Sequence, residues 1–197
     1  MPALSRASRR PAGPSIRLLP RLREKIAGHY PGTRLAFTEY NYGGGMHISG
    51  ALAEADVLGI FGREGVFAAT LWSLSDPAQE QAIQAALDAY TSYDGAGGAF
   101  GDTSIAATTS DAAATSLYAS VDAGRPDRMV LVALNKAAGA ADADFAISHG
   151  VDLRRAEVYR ITAVGPPARA ADIAFASRNA FTDTLPPESV TTYVLTP

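Results

Sequence analysis

The sequence predicts an α/β segment followed by an all-β domain, and two observations carry this prediction. Over about the first 90 residues, two short apolar strands alternate with three helical patterns, as in a parallel α/β sheet. From residue 100 onward, short strand candidates follow one another between turn residues, which is typical of an antiparallel β-sandwich. The chain has 197 residues, 47% of them hydrophobic and 19% charged, and it is long enough to bury a core.

The α/β pattern begins with a helix predicted over 19–30, which Pro31-Gly32 ends. A short apolar strand covers 34–39, and a second helix is predicted over 47–61. The strand at 66–72 is apolar throughout, as expected when both of its faces are buried. Asp76 is predicted to cap a third helix. Two strands cannot close a barrel or fill a sheet, so this α/β part is incomplete by itself.

The second half of the sequence contains seven strand candidates separated by Gly, Pro, Asn and Asp. They cover residues 103–108, 116–121, 129–135, 145–148, 156–163, 173–176 and 190–195. We place the domain boundary near residue 93, which predicts an α/β domain over 16–92 and a β-sandwich over 93–197. Residues 1–15 are rich in Arg, Pro, Ser and Ala without periodicity, and they are predicted to be a disordered basic tail.

Charge is distributed unevenly along the chain. The first 25 residues contain seven cationic side chains and one acid, a net charge of +6, which leaves −9 for the remainder. A basic arm can contact nucleic acid or anionic lipid, but no aromatic side chain lies among these arginines, and a solvated tail is the simpler interpretation. We therefore predict neither a nucleic-acid partner nor a membrane partner. The chain has no cysteine, which excludes a disulfide framework and a thiol nucleophile.

Glu39 is the first candidate catalytic residue. It ends an apolar strand directly before the loop 40–46, which holds two tyrosines, an asparagine and three glycines. In (β/α) barrels the active site lies at the C-terminal ends of the strands, so a carboxylate in this position can face a substrate. An acid that merely begins the loop or caps the next helix fits the same spacing. The residues alone leave both interpretations open.

Three aromatic residues near Glu39 are candidates for substrate binding. Trp72, the only tryptophan, holds the equivalent place on the next strand and could stack on a sugar ring or close the core. Tyr42 lies in the loop after Glu39, and His47 either contacts substrate or supports the N-terminus of the following helix. The three histidines are far apart in the sequence and form no metal-ligand pair, so we predict no metal and no cofactor.

Several ordered blocks of sequence closely resemble glycoside hydrolase family 44, from about Ile16 to the end of the chain. They are Thr38-Glu-Tyr-Asn41, His47-Ile-Ser-Gly50, Ala53-Glu-Ala-Asp-Val-Leu-Gly-Ile-Phe-Gly-Arg-Glu-Gly65, Ala69-Thr-Leu-Trp72, Phe100-Gly-Asp-Thr-Ser104 and Leu185-Pro-Pro-Glu-Ser-Val190. The resemblance implies the C-terminal remnant of a (β/α)8 TIM barrel followed by a β-sandwich. It also implies a secreted, retaining endo-β-1,4-glucanase that acts on β-1,4-glucan polysaccharide, although this chain shows no signal peptide.

The resemblance assigns specific roles to the candidate residues. Glu39, in the Thr-Glu-Tyr-Asn motif, would be the nucleophile at the end of strand seven, and Trp72 would end strand eight. The acid/base would lie in an Asn-Glu pair on strand four, and no such pair occurs in this sequence. We therefore expect a fragment that carries the nucleophile without the acid/base half and is inactive alone. A truncated reading frame, or a separately encoded N-terminal barrel half as partner, would account for this.

A function of another class is the alternative to an enzyme fragment. The β-sandwich could be a non-catalytic carbohydrate-binding or structural module. Such a module should display several exposed aromatic residues on one face of a sheet. The aromatic residues after residue 100 lie within apolar strands, which favours core packing.

Overall fold

A computed structural model describes residues 17–73 and 76–197 of the chain. The predicted disordered tail over 1–15 lies outside the described residues. The chain divides into two units, Met1–Leu35 and Ala36–Pro197, and each is described by itself. The predicted domain boundary near residue 93 stays a prediction.

The described part of the first unit contains one helix, α1, at Leu18–His29. This confirms the first predicted helix to within one residue at each end. The backbone N–H of Tyr30 donates to the carbonyl of Ile26 at 2.8 Å and closes the last turn. None of the residues of α1 is buried. Across the described residues, no helix combines the length and the apolar composition required to span a bilayer.

The second unit begins with two strands and the helix between them. Strand β1 (Ala36–Tyr40) leads into helix α2 (Ile48–Arg63), and strand β2 (Ala68–Leu71) follows. The two strands pair in parallel, with Ala36 opposite Ala68. A helical connection between parallel neighbours is the arrangement that the alternating sequence pattern predicted.

The third helix, α3, begins later than the sequence predicted. Asp76 does not cap it; its Oδ1 accepts from the N–H of Ala78 at 2.9 Å, in a 3₁₀ turn at Pro77–Gln79. Helix α3 spans Gln81–Thr91, and the N–H of Ala82 in its first turn donates to the carbonyl of Gly45 at 2.8 Å. A backbone carbonyl from a distant loop thus accepts from an N–H in the first turn of α3. The sequence had predicted that the nearby side chain of Asp76 would cap this helix.

Eight antiparallel strands make up the rest of the second unit. A six-stranded sheet has the order β3-β4-β5-β10-β7-β8, and β6 pairs with β9 in a two-stranded sheet. The strands are β3 (Thr103–Ile105), β4 (Thr115–Asp122), β5 (Arg125–Asn135), β6 (Ala141–Ala146), β7 (Arg155–Ile161), β8 (Ala168–Ala174), β9 (Ala180–Leu185) and β10 (Ser189–Thr196). The structure is therefore mostly β with few helices.

Strand β9 is the one strand of this region that the sequence analysis missed. Its sequence, Ala-Phe-Thr-Asp-Thr-Leu, contains two large apolar residues, and both of them, Phe181 and Leu185, are buried. The strands predicted over 145–148 and 173–176 both begin earlier than predicted, at Ala141 and Ala168. In β6 and β9 the polar residues on the solvent side masked an alternation of period two. In β8 the partly buried residues, Ala170 and Ile173, are three apart, so this strand shows no such alternation.

The six-stranded sheet is covered on both of its faces. Helices α2 and α3 pack on one face, where the core contains Ala55, Ala86, Tyr118, Val132 and Ile161. The two-stranded sheet packs on the other face. That second core is formed by Met129, Leu131, Phe145, Leu153, Phe181, Leu185, Tyr193 and Leu195, among others.

A glycine allows α2 to approach the sheet closely. A Cβ added at Gly59 would overlap the ring of Tyr118 on β4. We expect Gly59→Ala to lower the free energy of unfolding by about 1–3 kcal/mol, because overpacking forces the helix and the ring apart. Urea denaturation of the full chain, followed by circular dichroism, measures this loss.

Gly62 is the matched control on the same helix. A Cβ at Gly62 would have nothing within 4 Å, so Gly62→Ala carries no packing cost and should gain up to about 1 kcal/mol from helix propensity. Equal stability of Gly59→Ala and Gly62→Ala would mean that α2 does not lie against β4 as described.

Candidate functional site

The ends of β1 and β2 lie side by side because parallel strands finish at the same edge. The N–H of Trp72 donates to the carbonyl of Tyr40 at 2.9 Å. The side-chain amide of Asn41 donates to the carbonyl of Trp72 at 2.7 Å. The structure therefore brings the segment that contains Glu39 and the segment that ends in Trp72 to one edge.

Glu39 and Trp72 both face solvent in this chain. Glu39 lies one residue before the end of β1 and is exposed, and the side chain of Trp72 is half exposed. An accessible carboxylate can act as a nucleophile or a base. An accessible indole presents an apolar face on which a sugar ring can stack.

The loop after β1 is shaped by its asparagine and its glycines. The Oδ1 of Asn41 accepts from the N–H of Gly43 at 2.6 Å, and Gly43 and Gly44 adopt left-handed φ values of 72° and 73°. A Cβ at Gly45 would overlap the backbone of Gln79. Gly43 and Gly44 thus allow a tight turn, and Gly45 allows a close approach to the backbone of Gln79.

Tyr42 and His47 flank this glycine turn. The ring of Tyr42 is about half exposed, and its centroid lies 5.8 Å from that of Tyr40. His47 precedes α2, and its Nδ1 accepts from the N–H of Ser49 at 3.2 Å. His47 therefore has the helix N-terminal role that the sequence offered as one alternative. A substrate contact by Tyr42 or His47 stays a prediction.

A buried carboxyl group below the strand end was missed by the sequence analysis. Glu54, on α2, is 1% exposed, and its Oε1 accepts from the hydroxyl of Tyr40 at 2.6 Å. Burial raises the pKa of Glu54, and the hydrogen bond from Tyr40 offsets only part of that rise. Burial also raises the pKa of Tyr40, and the bond to Glu54 adds to the effect.

The position of Glu54 in its helix carried a signal. It lies three residues after Ala51 and four before Leu58, on the apolar stripe that predicted α2. An acid on such a stripe is a candidate for a specific buried contact. Within the residues that the structure describes, no group of three or more histidine, aspartate and glutamate side chains could hold a metal ion.

Comparison with known proteins finds no matching family model. The chain is 39% identical to endoglucanase A of Paenibacillus lautus over 180 residues, which are 90% of this chain and 25% of that protein. It is 40% identical to a xyloglucanase of Paenibacillus polymyxa from glycoside hydrolase family 44, with a TM-score of 0.87 over 91% of this chain and 35% of that one.

A second solved structure gives the same result. A family 44 endoglucanase from Clostridium thermocellum is 38% identical, with a TM-score of 0.86 over 90% of this chain and 35% of that chain. The sheet-rich fold described above therefore matches a region of these enzymes. The chain spans about a quarter to a third of the length of the relatives that it matches.

Proposed function

We propose that this chain, which matches a C-terminal part of glycoside hydrolase family 44 over nine tenths of its length, carries the nucleophile of a retaining β-1,4-glucan hydrolase. The observation that carries the proposal is the exposed Glu39 at the edge where β1 and β2 end together. Barrel enzymes carry their catalytic residues at this edge. In the proposed whole enzyme, β1 and β2 are the last two barrel strands, and the two antiparallel sheets form the β-sandwich.

The proposed reaction needs two carboxyl groups about 5 Å apart. Glu39 attacks the anomeric carbon and forms a glycosyl ester while the glycosidic C–O bond breaks. A second carboxylic acid protonates the departing oxygen, and then, as a base, activates the water that hydrolyses the ester. The sequence has no Asn-Glu pair to supply that acid. We therefore propose that these 197 residues alone do not hydrolyse glucan.

The proposed substrate is a β-1,4-glucan chain. Two of the relatives are named endoglucanase and one is named xyloglucanase. Trp72 and Tyr42, both about half exposed, would stack on sugar rings near Glu39, and His47 would lie at the border of that cleft. We also propose a secreted location, as expected for an enzyme that degrades an extracellular polymer.

The proposed partner is the remaining part of the barrel, either in the same polypeptide or as a separate chain. Strand β2 is apolar in sequence, but Ala68, Ala69 and Thr70 are exposed, and so is Phe67 directly before it. Among the residues that the structure describes, no third strand pairs with β1 or β2, and further parallel strands would pair at their open edges. Exposed apolar residues on short strands are what such a docking surface requires.

The non-catalytic alternative lacks a supporting observation. A carbohydrate-binding face would expose several aromatic rings. The aromatic residues of the described antiparallel sheets, and Phe175 directly after β8, are instead buried or half-buried; those within strands are Tyr118, Phe145, Tyr159, Phe181 and Tyr193. Phe145 and Phe181 stack on each other inside the second core, with ring centroids 4.4 Å apart.

A chimeric enzyme tests the proposal. Residues 17–197 replace the matched C-terminal part of the Paenibacillus polymyxa xyloglucanase, which supplies the missing strands. We expect the chimera to release reducing sugar from soluble β-1,4-glucan, because Glu39 then meets an acid/base partner. The 197-residue chain alone should release none.

Folding of the chimera is checked first by circular dichroism and gel filtration. A folded, monomeric chimera without activity would contradict the proposed function. Hydrolysis by the isolated chain would contradict the proposal that the second carboxyl group is missing from it.

A further inference from the structure

We propose that Glu54 is a positioning residue whose buried carboxyl group holds Tyr40 and thereby fixes the strand ends that carry Glu39 and Trp72. The role of those strand ends rests on the proposed function. The contacts that connect Glu54 with them are independent of it.

A continuous path of contacts leads from α2 to the end of β2. The Oε1 of Glu54 accepts from the Tyr40 hydroxyl at 2.6 Å. The backbone carbonyl of the same Tyr40 accepts from the N–H of Trp72 at 2.9 Å. Tyr40 follows Glu39 directly in β1. A change in the position of Tyr40 would therefore move both residues of the proposed site.

The ring of Tyr40 is held on its sides as well as at its hydroxyl. Phe61, also on α2, packs edge-on against it with centroids 5.5 Å apart, and Tyr42 lies at 5.8 Å. The hydroxyl of a buried tyrosine usually finds a hydrogen-bond partner. The short hydrogen bond to the buried carboxyl group of Glu54 holds the ring at its hydroxyl end, in addition to these ring contacts.

Burial of the Glu54 carboxyl group costs desolvation free energy, and this cost indicates that the residue has a specific role. Glu54 is 1% exposed, and in the described part of the chain its Oε2 is buried without a hydrogen-bond partner. An apolar side chain at this position of the helix would avoid the desolvation of a carboxyl group. An apolar residue, however, could not accept the hydrogen bond from Tyr40.

Trp72 reports on this path directly, because it is the only tryptophan in the chain. Acrylamide quenching of its fluorescence is measured in the full 197-residue chain under native conditions. We expect Tyr40→Phe and Glu54→Leu to raise the quenching constant, since either change removes the hydrogen bond and loosens the end of β2. Glu54→Gln keeps an acceptor oxygen and should stay near the original value.

The control uses a second acid–tyrosine pair on the same helix. Asp56 on α2 accepts from the hydroxyl of Tyr118 at 2.6 Å, but this bond joins α2 to β4 and involves no residue at the ends of β1 and β2. Tyr118→Phe should lower stability without changing the quenching of Trp72. Equal quenching in Tyr40→Phe and in the original chain, or an equal rise in Tyr118→Phe, would overturn the positioning role.

An activity measurement in the chimera separates the two proposals. There, Tyr40→Phe should lower kcat/KM on the order of 10²-fold, because the variant displaces both the reacting carboxylate of Glu39 and the sugar-stacking ring of Trp72, and a small misplacement of a reacting group has effects of this size. An inactive chimera would count against the proposed function only. Unchanged quenching by Tyr40→Phe would count against the positioning role only.

Discussion

Replacing Glu39 with glutamine in the chimera should lower kcat on soluble β-1,4-glucan by a factor on the order of 10⁴ or more, the size of loss seen when a member of a catalytic unit is removed. The amide keeps the shape of the side chain but is not nucleophilic, so the glycosyl ester cannot form. KM should change little, because the substrate-binding surface is retained. Reducing-sugar release at saturating substrate measures the effect.

Azide rescue distinguishes a lost nucleophile from a damaged site. Glu39→Ala leaves room for azide to attack the anomeric carbon, while the acid still protonates the departing oxygen, so a glycosyl azide of inverted configuration should form. Glu24→Gln, which removes an exposed glutamate on α1, is the matched control and should retain full activity. Full activity of Glu39→Gln, or a rescued product of retained configuration, would show that Glu39 is not the nucleophile.

The meeting of Glu39 and Trp72 at one edge could be predicted from the sequence. Two apolar strands separated by a helix pair in parallel, and parallel neighbours end at the same edge. The direct bond between the backbone of Tyr40 and that of Trp72 follows from this topology. The apolar strand–helix–strand pattern, together with the rule that strands joined by a helix pair in parallel, was sufficient to predict this contact.

Other features depended on contacts that a linear pattern does not contain. The start of α3 is set by the carbonyl of Gly45, which lies more than 30 residues earlier in the chain. The place of Glu54 on the apolar stripe of α2 signals a buried contact, but nothing in the linear pattern identifies Tyr40 as its partner. Strand β9 is defined by its pairing with β6, where Phe145 lies opposite Phe181, more than by its own composition.

Phe181→Ala should lower the free energy of unfolding by about 3–5 kcal/mol, since it deletes a large buried ring and leaves a cavity. The ring is 5% exposed and lies in the middle of an aromatic cluster. Its centroid is 4.4 Å from that of Phe145, 4.7 Å from that of Phe175 and 5.3 Å from that of Tyr193. Urea denaturation followed by circular dichroism measures the loss.

The same deletion on an exposed ring shows what burial contributes. Phe67 is 55% exposed, so Phe67→Ala should change the stability of the isolated chain by roughly 1 kcal/mol or less. The rings around Phe181 come from β6, from β10 and from the segment after β8, so its removal weakens the attachment of the two-stranded sheet to the six-stranded sheet. Equal losses in the two variants would mean that the two-stranded sheet contributes little to the core, and the arrangement of the two sheets would then be wrong.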